Sequence, residues 1–221
     1  MAPGKGGFAL LLGGKPPRSP AGSALILPTA ALAELVAEEW RMRPEPFQLA
    51  KMPLTRLAYA VLDRFPGERT QALAAIADHA GHDLLCYRAE APKALRERQA
   101  RAWTPLLDWA AAELGAGLAV ANGIGSIAQP PHAVEALCGA AAAGGDFALA
   151  ALTVLARLLG SAVLALAVWK GRLTGEAAFS LSRLDEDFQA EAWGVDPEAA
   201  AAALAARDEA IRLGAWLAAA G

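Results

Sequence analysis

Helical segments separated by glycine and proline make up most of this chain from Pro53 to its end. Apolar residues recur there at spacings of three and four, the period of an amphipathic helix. Pairs such as Pro66-Gly67, Pro130-Pro131 and Gly144-Gly145 end one helix and begin the next. We therefore predict helices over residues 53–65, 68–80, 91–100, 103–115, 131–142, 146–170, 174–192 and 197–219.

The first 28 residues show a different pattern, in which two short apolar runs flank a loop rich in proline and glycine. Residues 6–12 and 24–27 predict two strands joined by that loop. Two strands alone are marginally stable in water, so the hairpin has to pack against a helix. Thr29 is a suitable N-cap for such a helix, which we predict from Ala30 to about Met42.

Together these patterns predict an α+β protein. A small N-terminal α/β region, a hairpin plus a helix, covers residues 1–52, and a larger all-helical C-terminal domain covers residues 53–221. The helical domain contains one extended segment near residues 117–124. Hydrophobic residues form 55% of the chain, which is ample for a core.

Composition narrows the classes of function. A formal net charge of −3 gives no support to a nucleic-acid partner, which would require a basic patch. Cys86 and Cys138 match no metal or redox spacing, so we expect free thiols in a reducing compartment, the bacterial cytoplasm. We also expect a monomer.

The nearest approach to a membrane span is the apolar run from Phe147 to Trp169. Arg157 lies almost at its centre, where a charge costs about 2.5–3.5 kcal/mol on insertion scales. We therefore predict a buried core helix and no stable membrane insertion, with a membrane-associated factor as a weaker alternative.

Candidate catalytic and metal motifs are weak. The glycines of Gly123–Ala128 resemble a dinucleotide loop, but Pro130 and Pro131 follow at once and no βαβ unit surrounds them. His79 and His82 could hold a metal with Asp83, but a solvated helix end explains them better. We predict no catalytic residue, no metal site and no cofactor.

The acidic segment from Glu176 to Glu198 is the strongest candidate for a functional surface, with seven acidic residues and a single base, Arg183. On a helical wheel Asp185 lies on the flank of the apolar stripe, whereas Glu186 and Asp187 point outward. A carboxylate at the edge of a core either pairs internally or is held for a partner, because burying it unpaired is costly. Both alternatives remain open at this level.

Two further groups have mainly structural interpretations. Trp40 lies on the apolar stripe of its helix, which favours core packing over contact with a partner. A locally basic strip surrounds Gln99 and Trp103, and we interpret it as a solvated face or as a partner for the acidic segment. The strip consists of Arg88, Lys93, Arg96, Arg98 and Arg101.

Several ordered blocks resemble a known family, the assembly chaperones of the F-type ATP synthase catalytic head that handle its alpha subunit. The blocks are Gly14–Pro20 with Leu25–Thr29, Glu39-Trp40, Met52–Arg56, Leu84–Ala89, Pro92, Leu95, Gln99, Trp103–Trp109, Ser161–Ala167 with Gly171, and Leu184–Gln189 with Trp193-Gly194. They extend from the N-terminal hairpin to about Ala199.

The resemblance implies a protein that is not an enzyme. It would bind the free alpha subunit without ATP and mask the surface that later meets the beta subunit. By the resemblance, Asp185 matches an important acidic residue and Trp40 an important tryptophan.

We predict two sets of site residues. The partner-binding set is Asp185, Glu186, Asp187, Gln189 and Trp193, and the structural or functional set is Trp40, Trp103 and Trp109. The main alternative is an enzyme of unknown reaction that uses a cleft between the two regions.

Overall fold

The computed structural model of the protein describes residues 2–4, 6–123, 125–194 and 196–221, with side chains from residue 6 onward. A three-stranded antiparallel sheet opens the chain, with strands β1 (Ala2–Gly4), β2 (Gly7–Ala9) and β3 (Ile26–Leu27) in that spatial order. Phe8 of β2 lies opposite Leu27 of β3. The predicted hairpin is confirmed, and β1 adds a third strand at its edge.

Helix α1 (Ala30–Arg41) follows the sheet directly. Its N-cap is the predicted one, since the Thr29 hydroxyl accepts a hydrogen bond from the backbone N–H of Leu32 at 3.1 Å. The same hydroxyl donates to the backbone carbonyl of Ala219, near the end of the chain. The start of the first helix is therefore bonded to the last helix.

The remainder is mostly helical. The helices are α2 (Pro53–Asp63), α3 (Phe65–Gly81), α4 (Lys93–Leu114), α5 (Pro131–Ala142), α6 (Gly145–Leu159), α7 (Ala162–Trp169), α8 (Gly175–Ser182), α9 (Leu184–Trp193) and α10 (Pro197–Ala220). Single 3-10 turns occur at Leu49–Lys51 and Leu84–Cys86, and strands β4 (Tyr87–Arg88) and β5 (Ala121–Asn122) pair in parallel. The predicted extended segment thus contains β5.

The division of the chain into helices differs from the prediction at three places, and α3 begins at Phe65, three residues before its predicted start. The helices predicted over 91–100 and 103–115 are one helix, α4, which accommodates Pro105 on its exposed side. The helix predicted over 146–170 is broken where Gly160 adopts a left-handed φ of 64° and Ser161 caps α7. The helix predicted over 174–192 is broken at Arg183.

One continuous apolar core runs from the N-terminal hairpin to α10 and includes Leu25, Trp103 and Trp216. Helix α7 lies inside it, with seven consecutive buried residues. The α+β class, a small hairpin-and-helix region followed by a larger helical one, is confirmed. The boundary at residues 52 and 53 stays a prediction. Within the described ranges, no helix has the length and apolar character needed to cross a membrane.

Candidate functional site

Helix α9 lies on the surface, packed against α4 and α8. Leu184 is its one fully buried residue, and Phe188 is half-buried. Its first turn carries Asp185, Glu186 and Asp187, which interact favourably with the positive end of the helix dipole. The acidic motif therefore forms the start of a short surface helix, with its apolar side toward α4 and α8.

Asp185 is half-buried and hydrogen-bonded to the neighbouring helix. The side-chain amide of Gln99 on α4 donates to Asp185 Oδ1 at 2.8 Å. The amide oxygen of Gln99 accepts from the backbone N–H of Ala89 at 2.8 Å, and Gln99 itself is 1% exposed. One carboxylate oxygen of Asp185 is thus paired internally, which was one of the two alternatives for this residue.

A buried guanidinium lies behind this contact. Arg88 is 5% exposed, donates to the backbone carbonyl of Leu85 and lies over the Trp103 ring at 5.1 Å from its centroid. Burial lowers the pKa of the Arg88 guanidinium, while the negative charge of Asp185 acts in the opposite direction. The negative charge of Asp185 therefore also stabilises a buried cation.

The outward face of α9 combines acidic groups with an exposed indole. Glu186, Asp187 and Gln189 are exposed, and 82% of Trp193 is accessible to water. Gly194, with a φ of 86°, ends the helix directly after this indole. Four of the five predicted partner-binding residues therefore lie exposed on one short helix, with Asp185 at its inner edge.

Few ionic contacts involve this face. Arg183 lies 3.9 Å from both Glu186 and Asp187, at the outer limit of an ion pair. Arg98 of the basic strip forms a closer salt bridge with Glu191, at 2.7 Å. Part of the basic strip therefore does pair with the acidic segment, as its second interpretation anticipated.

The cleft between the two predicted regions is an open groove of about 810 Å³ bordered by the N-terminal loop, α2, α6 and α10. Its lining is apolar, with arginines, Tyr59, Asp63 and Glu209 as its polar groups. No serine, cysteine or histidine is among the described lining residues. The described lining residues of the groove therefore include no Ser–His or Cys–His pair.

Comparisons with known proteins agree with the sequence motifs. Residues 1–111 match the family ATP12 chaperone protein. The crystal structure of Atp12 from Paracoccus denitrificans has 40% sequence identity and a TM-score of 0.93, with 100% of this chain and 94% of that one covered.

The chain belongs to the ATP12 chaperone family.

Two further structures support this assignment. An aspartate-to-lysine mutant of the P. denitrificans protein has 40% identity and a TM-score of 0.92, over 98% of this chain and 92% of that one. The Atu1473 protein from Agrobacterium tumefaciens, a candidate chaperone, has 38% identity and a TM-score of 0.87, over 96% and 80%. The resemblance to the assembly chaperones of the ATP synthase head is thereby confirmed.

In this ATP12-family chain, the Glu39-Trp40 pair joins α1 to α2. The Glu39 carboxylate accepts hydrogen bonds from the backbone N–H groups of Leu54 and Thr55 at 2.9 and 2.8 Å and from the Thr55 hydroxyl at 2.6 Å. It thereby caps α2, whose own N-cap residue, Met52, makes no side-chain capping hydrogen bond. Sequence reasoning missed this role, because the cap lies 15 residues before the bonded Leu54.

The three predicted tryptophans lie in the interior. Trp103 donates through its indole N–H to the backbone carbonyl of Leu181 at 3.0 Å and so joins α4 to α8. Trp109 lies under the guanidinium of Arg172, 5.3 Å from the ring centroid. Trp40 stacks on Phe47 at 5.6 Å. The indole N–H groups of Trp40 and Trp109 are buried without a hydrogen-bond partner among the described residues.

Asp83 has a structural role that the sequence did not reveal. Its buried carboxylate accepts hydrogen bonds from the backbone N–H groups of Leu85 and Val163, each at 3.0 Å. Burial raises the pKa of Asp83 to about 6, although these hydrogen bonds oppose the shift. Asp83 therefore joins the 3-10 turn before β4 to the start of α7.

The weaker motifs gain no support. In the part of the chain that the structure describes, no cluster of His, Cys, Asp and Glu could hold a metal, and His82 is close only to Asp78. In the glycine-rich segment, Gly123 and residues 125–128 lie between β5 and α5 outside any helix, and Ile124 lies outside the described residues. This segment does not open a helix directly, as a dinucleotide site would require.

Proposed function

We propose that this chain binds the free alpha subunit of the F-type ATP synthase and masks the surface that later meets the beta subunit. It acts as a monomer in the cytoplasm, without ATP, cofactor or catalysis. The observation that carries the proposal is the outward face of α9, where Trp193 is 82% exposed beside Glu186, Asp187 and Gln189. Membership of the ATP12 chaperone family supports it.

The chemistry of this face suits a protein partner. Tryptophan is among the residues that most often dominate the binding energy of an interface. An indole open to water in the free protein gains most when a partner covers it. Acidic side chains around it accelerate encounter with a basic rim and set orientation, more than they raise affinity.

Contacts at the start of α9 hold the helix in place, and with it the exposed end that carries Trp193. The hydrogen bond from Gln99 to Asp185 fixes the start of the helix, and Trp103 bonds to Leu181 just before it. A fixed helix presents its side chains at a lower entropic cost on binding. The second carboxylate oxygen of Asp185 accepts no hydrogen bond among the described residues, and we assign it to the partner.

The test is co-purification of the tagged chain with the alpha and beta subunits of its own ATP synthase, each expressed separately. We expect capture of alpha alone and its release when beta is added. Trp193→Ala should weaken capture by at least about 30-fold, the loss of a hot-spot residue worth 2 kcal/mol or more. Leu204→Ala is the matched control, since Leu204 is 60% exposed on α10.

A charge-matched pair tests the acidic groups. Glu186→Gln with Asp187→Asn should slow association with alpha, whereas Asp108→Asn with Glu135→Gln should leave it unchanged, because those carboxylates are exposed elsewhere. Capture of neither subunit by the intact chain would contradict the proposal. Capture that survives Trp193→Ala undiminished would place the binding surface away from α9.

A variant of Asp185 has to separate its hydrogen bond from Gln99 from its proposed contact with the alpha subunit. Asp185→Asn keeps an oxygen that can accept the Gln99 hydrogen bond and removes the charge. We expect it to lower capture of alpha at temperatures well below its thermal midpoint, which should itself fall because the charge that stabilises the buried Arg88 is lost. Full capture by Asp185→Asn would limit Asp185 to holding α9 in place.

A further inference from the structure

A second concave surface lies apart from α9. The 810 Å³ groove bordered by α2, α6 and α10 continues into a smaller groove of about 430 Å³ that follows α1 and the segment up to Lys51. The two share Pro53, Leu54 and Arg212 in their linings. We call the combined feature the long groove.

The floor of the long groove is apolar. Leu49, Leu57 and Val154 are half-buried along the larger part, and Met42, which is 78% exposed, lines the smaller part. Methionine is unbranched and polarisable, so it adapts to side chains of different shape. An accessible apolar strip of this kind is typical of binding grooves.

The rim of the long groove is cationic. Arg56, Arg157 and Arg212 line the larger part, and among the described residues none of their guanidinium groups forms a salt bridge or a side-chain hydrogen bond. Three arginines without a salt-bridge partner on one concave surface contrast with the net charge of −3 for the whole chain.

Carboxylates offset this charge only in part. Four arginines, with Arg64 as the fourth, line the larger part against Asp63 and Glu209. The smaller part has Glu38 and Glu39 against Arg43, Lys51 and the shared Arg212. Asp63 accepts hydrogen bonds from the Ser19 hydroxyl at 2.5 Å and from the backbone N–H of Ala21 at 3.2 Å, which hold the N-terminal loop as one wall of the groove. These hydrogen bonds, with that of Ser19 the largest cause, lower the pKa of Asp63. Glu209 remains as the other acidic group of the larger part.

We propose that the long groove binds a peptide segment of a partner protein in which acidic residues are interspersed with large apolar ones. Carboxylates of the segment pair with Arg56, Arg157 and Arg212, and its apolar side chains cover Leu49, Leu57 and Val154. The elongated, open shape favours a chain segment over a compact metabolite, which would be largely enclosed. The inference does not depend on the proposed role of α9, since the described linings contain no residue of that helix.

The first test uses fluorescence anisotropy of the intact chain with a fluorescein-labelled 14-residue peptide of leucine and glutamate at helical spacing. We expect saturable binding that Arg157→Gln with Arg212→Gln weakens at least about tenfold, because hydrogen bonds to charged groups are the stronger kind. Arg96→Gln with Arg101→Gln is the matched control. Both of those arginines are exposed on α4, and the change in net charge is the same.

The peptide is varied in parallel. Replacement of its leucines by serine, or of its glutamates by glutamine, should abolish saturable binding, because the groove offers both kinds of contact. Equal binding by the groove variant and the control variant would overturn the proposal. So would equal binding of the serine peptide, or displacement by free glutamate at the same concentration as by unlabelled peptide, since a simple carboxylate site would then suffice.

Folding is checked separately by thermal denaturation, because Arg212 is half-buried whereas the other three substituted arginines are exposed. Binding is compared below the thermal midpoint of every variant. A second variant, Leu57→Gln, removes apolar floor without a change in charge and should also weaken binding. The two proposals can fail independently. If the intact chain does not capture the alpha subunit, the α9 proposal fails. The groove proposal is decided by peptide binding alone.

Discussion

Helices α7 and α9 lie close together in the chain and have similar lengths, but they are held by different forces. All residues of α7 from Ala162 to Val168 are buried, whereas α9 buries Leu184 alone. Packing in the core therefore restricts which side chains α7 can carry from Ala162 to Val168. Most side chains of α9 are accessible to water, so core packing does not require them and they are available for binding.

The starts of the two helices show the same contrast. Asp83 accepts from the N–H of Val163 at the start of α7, entirely within the core. Gln99 donates to Asp185 at the start of α9, at the edge of the core. Helix α9 is thus fixed at its start by the contact with Gln99, whereas its exposed C-terminal end carries Trp193. This arrangement supports a recognition role for α9 and a structural one for α7.

Truncation in α7 should have the largest effect. Leu164→Ala should lower the free energy of unfolding by about 2–5 kcal/mol, because Leu164 is fully buried and its removal leaves a cavity. Trp193→Ala should change it by less than about 0.5 kcal/mol, as for an exposed side chain. Urea denaturation measures both values. Comparable losses would mean that α9 contributes to the core as α7 does.

Removal of the carboxylate before α7 should have an intermediate, pH-dependent effect. Asp83→Ala leaves two backbone N–H groups without partners and should cost about 1–3 kcal/mol near pH 4. The pKa of Asp83 is raised from 3.8 to about 6 on folding, so between these values the folded protein binds more protons than the unfolded one. The stability that Asp83 contributes therefore falls as pH rises through this window.

The measurement is urea denaturation of both proteins at several pH values. The difference between wild type and Asp83→Ala should be largest near pH 4 and smaller above pH 6. A difference that grows with rising pH would indicate that the carboxylate is more stable ionised in the fold than in water.

Loss of the contact at the start of α9 should lower global stability less than loss of Asp83. Gln99→Met conserves volume and removes the hydrogen bonds to Asp185 and Ala89, at a cost of about 0.5–1.5 kcal/mol. Amide hydrogen exchange should accelerate in α9 and stay unchanged in α7. The control is Arg98→Gln, which breaks only the surface salt bridge to Glu191. Unchanged exchange in α9 would show that packing on α8 is sufficient to hold it.

The sequence predicted elements well where local signals agreed. Helix α5 begins at Pro131 and ends at Ala142, as predicted, because Pro130-Pro131 forces its start. Helix α4 was split in the prediction, yet it continues through Pro105. That proline lies on the exposed side, where water can satisfy the carbonyl it leaves unpaired.

Other breaks depend on tertiary contacts. The chain bends at Gly160 because Ser161 and Asp83 together cap α7, and Asp83 comes from 80 residues earlier. Periodicity within 146–170 cannot show such a contact. The break between α8 and α9 at Arg183 likewise has no glycine or proline to mark it.

The candidate site was partly visible in the sequence. The exposure of Glu186 and Asp187 and the position of Asp185 at the core edge follow from helical spacing. Gln99 was the missed signal, because it lies between Leu95 and Trp103 on an apolar stripe, where a buried amide requires partners. The arginines of the long groove come from three different helices, so no local pattern in the sequence brings them together.

The exposure of Trp193 also gives the protein an optical reporter. Of its six tryptophans, Trp40, Trp103, Trp109 and Trp216 are buried, and Trp169 is half-buried beneath Lys170. A collisional quencher dissolved in the buffer therefore reaches Trp193 preferentially. When a client covers α9, that quenching should disappear, and occupancy can be followed in unlabelled protein.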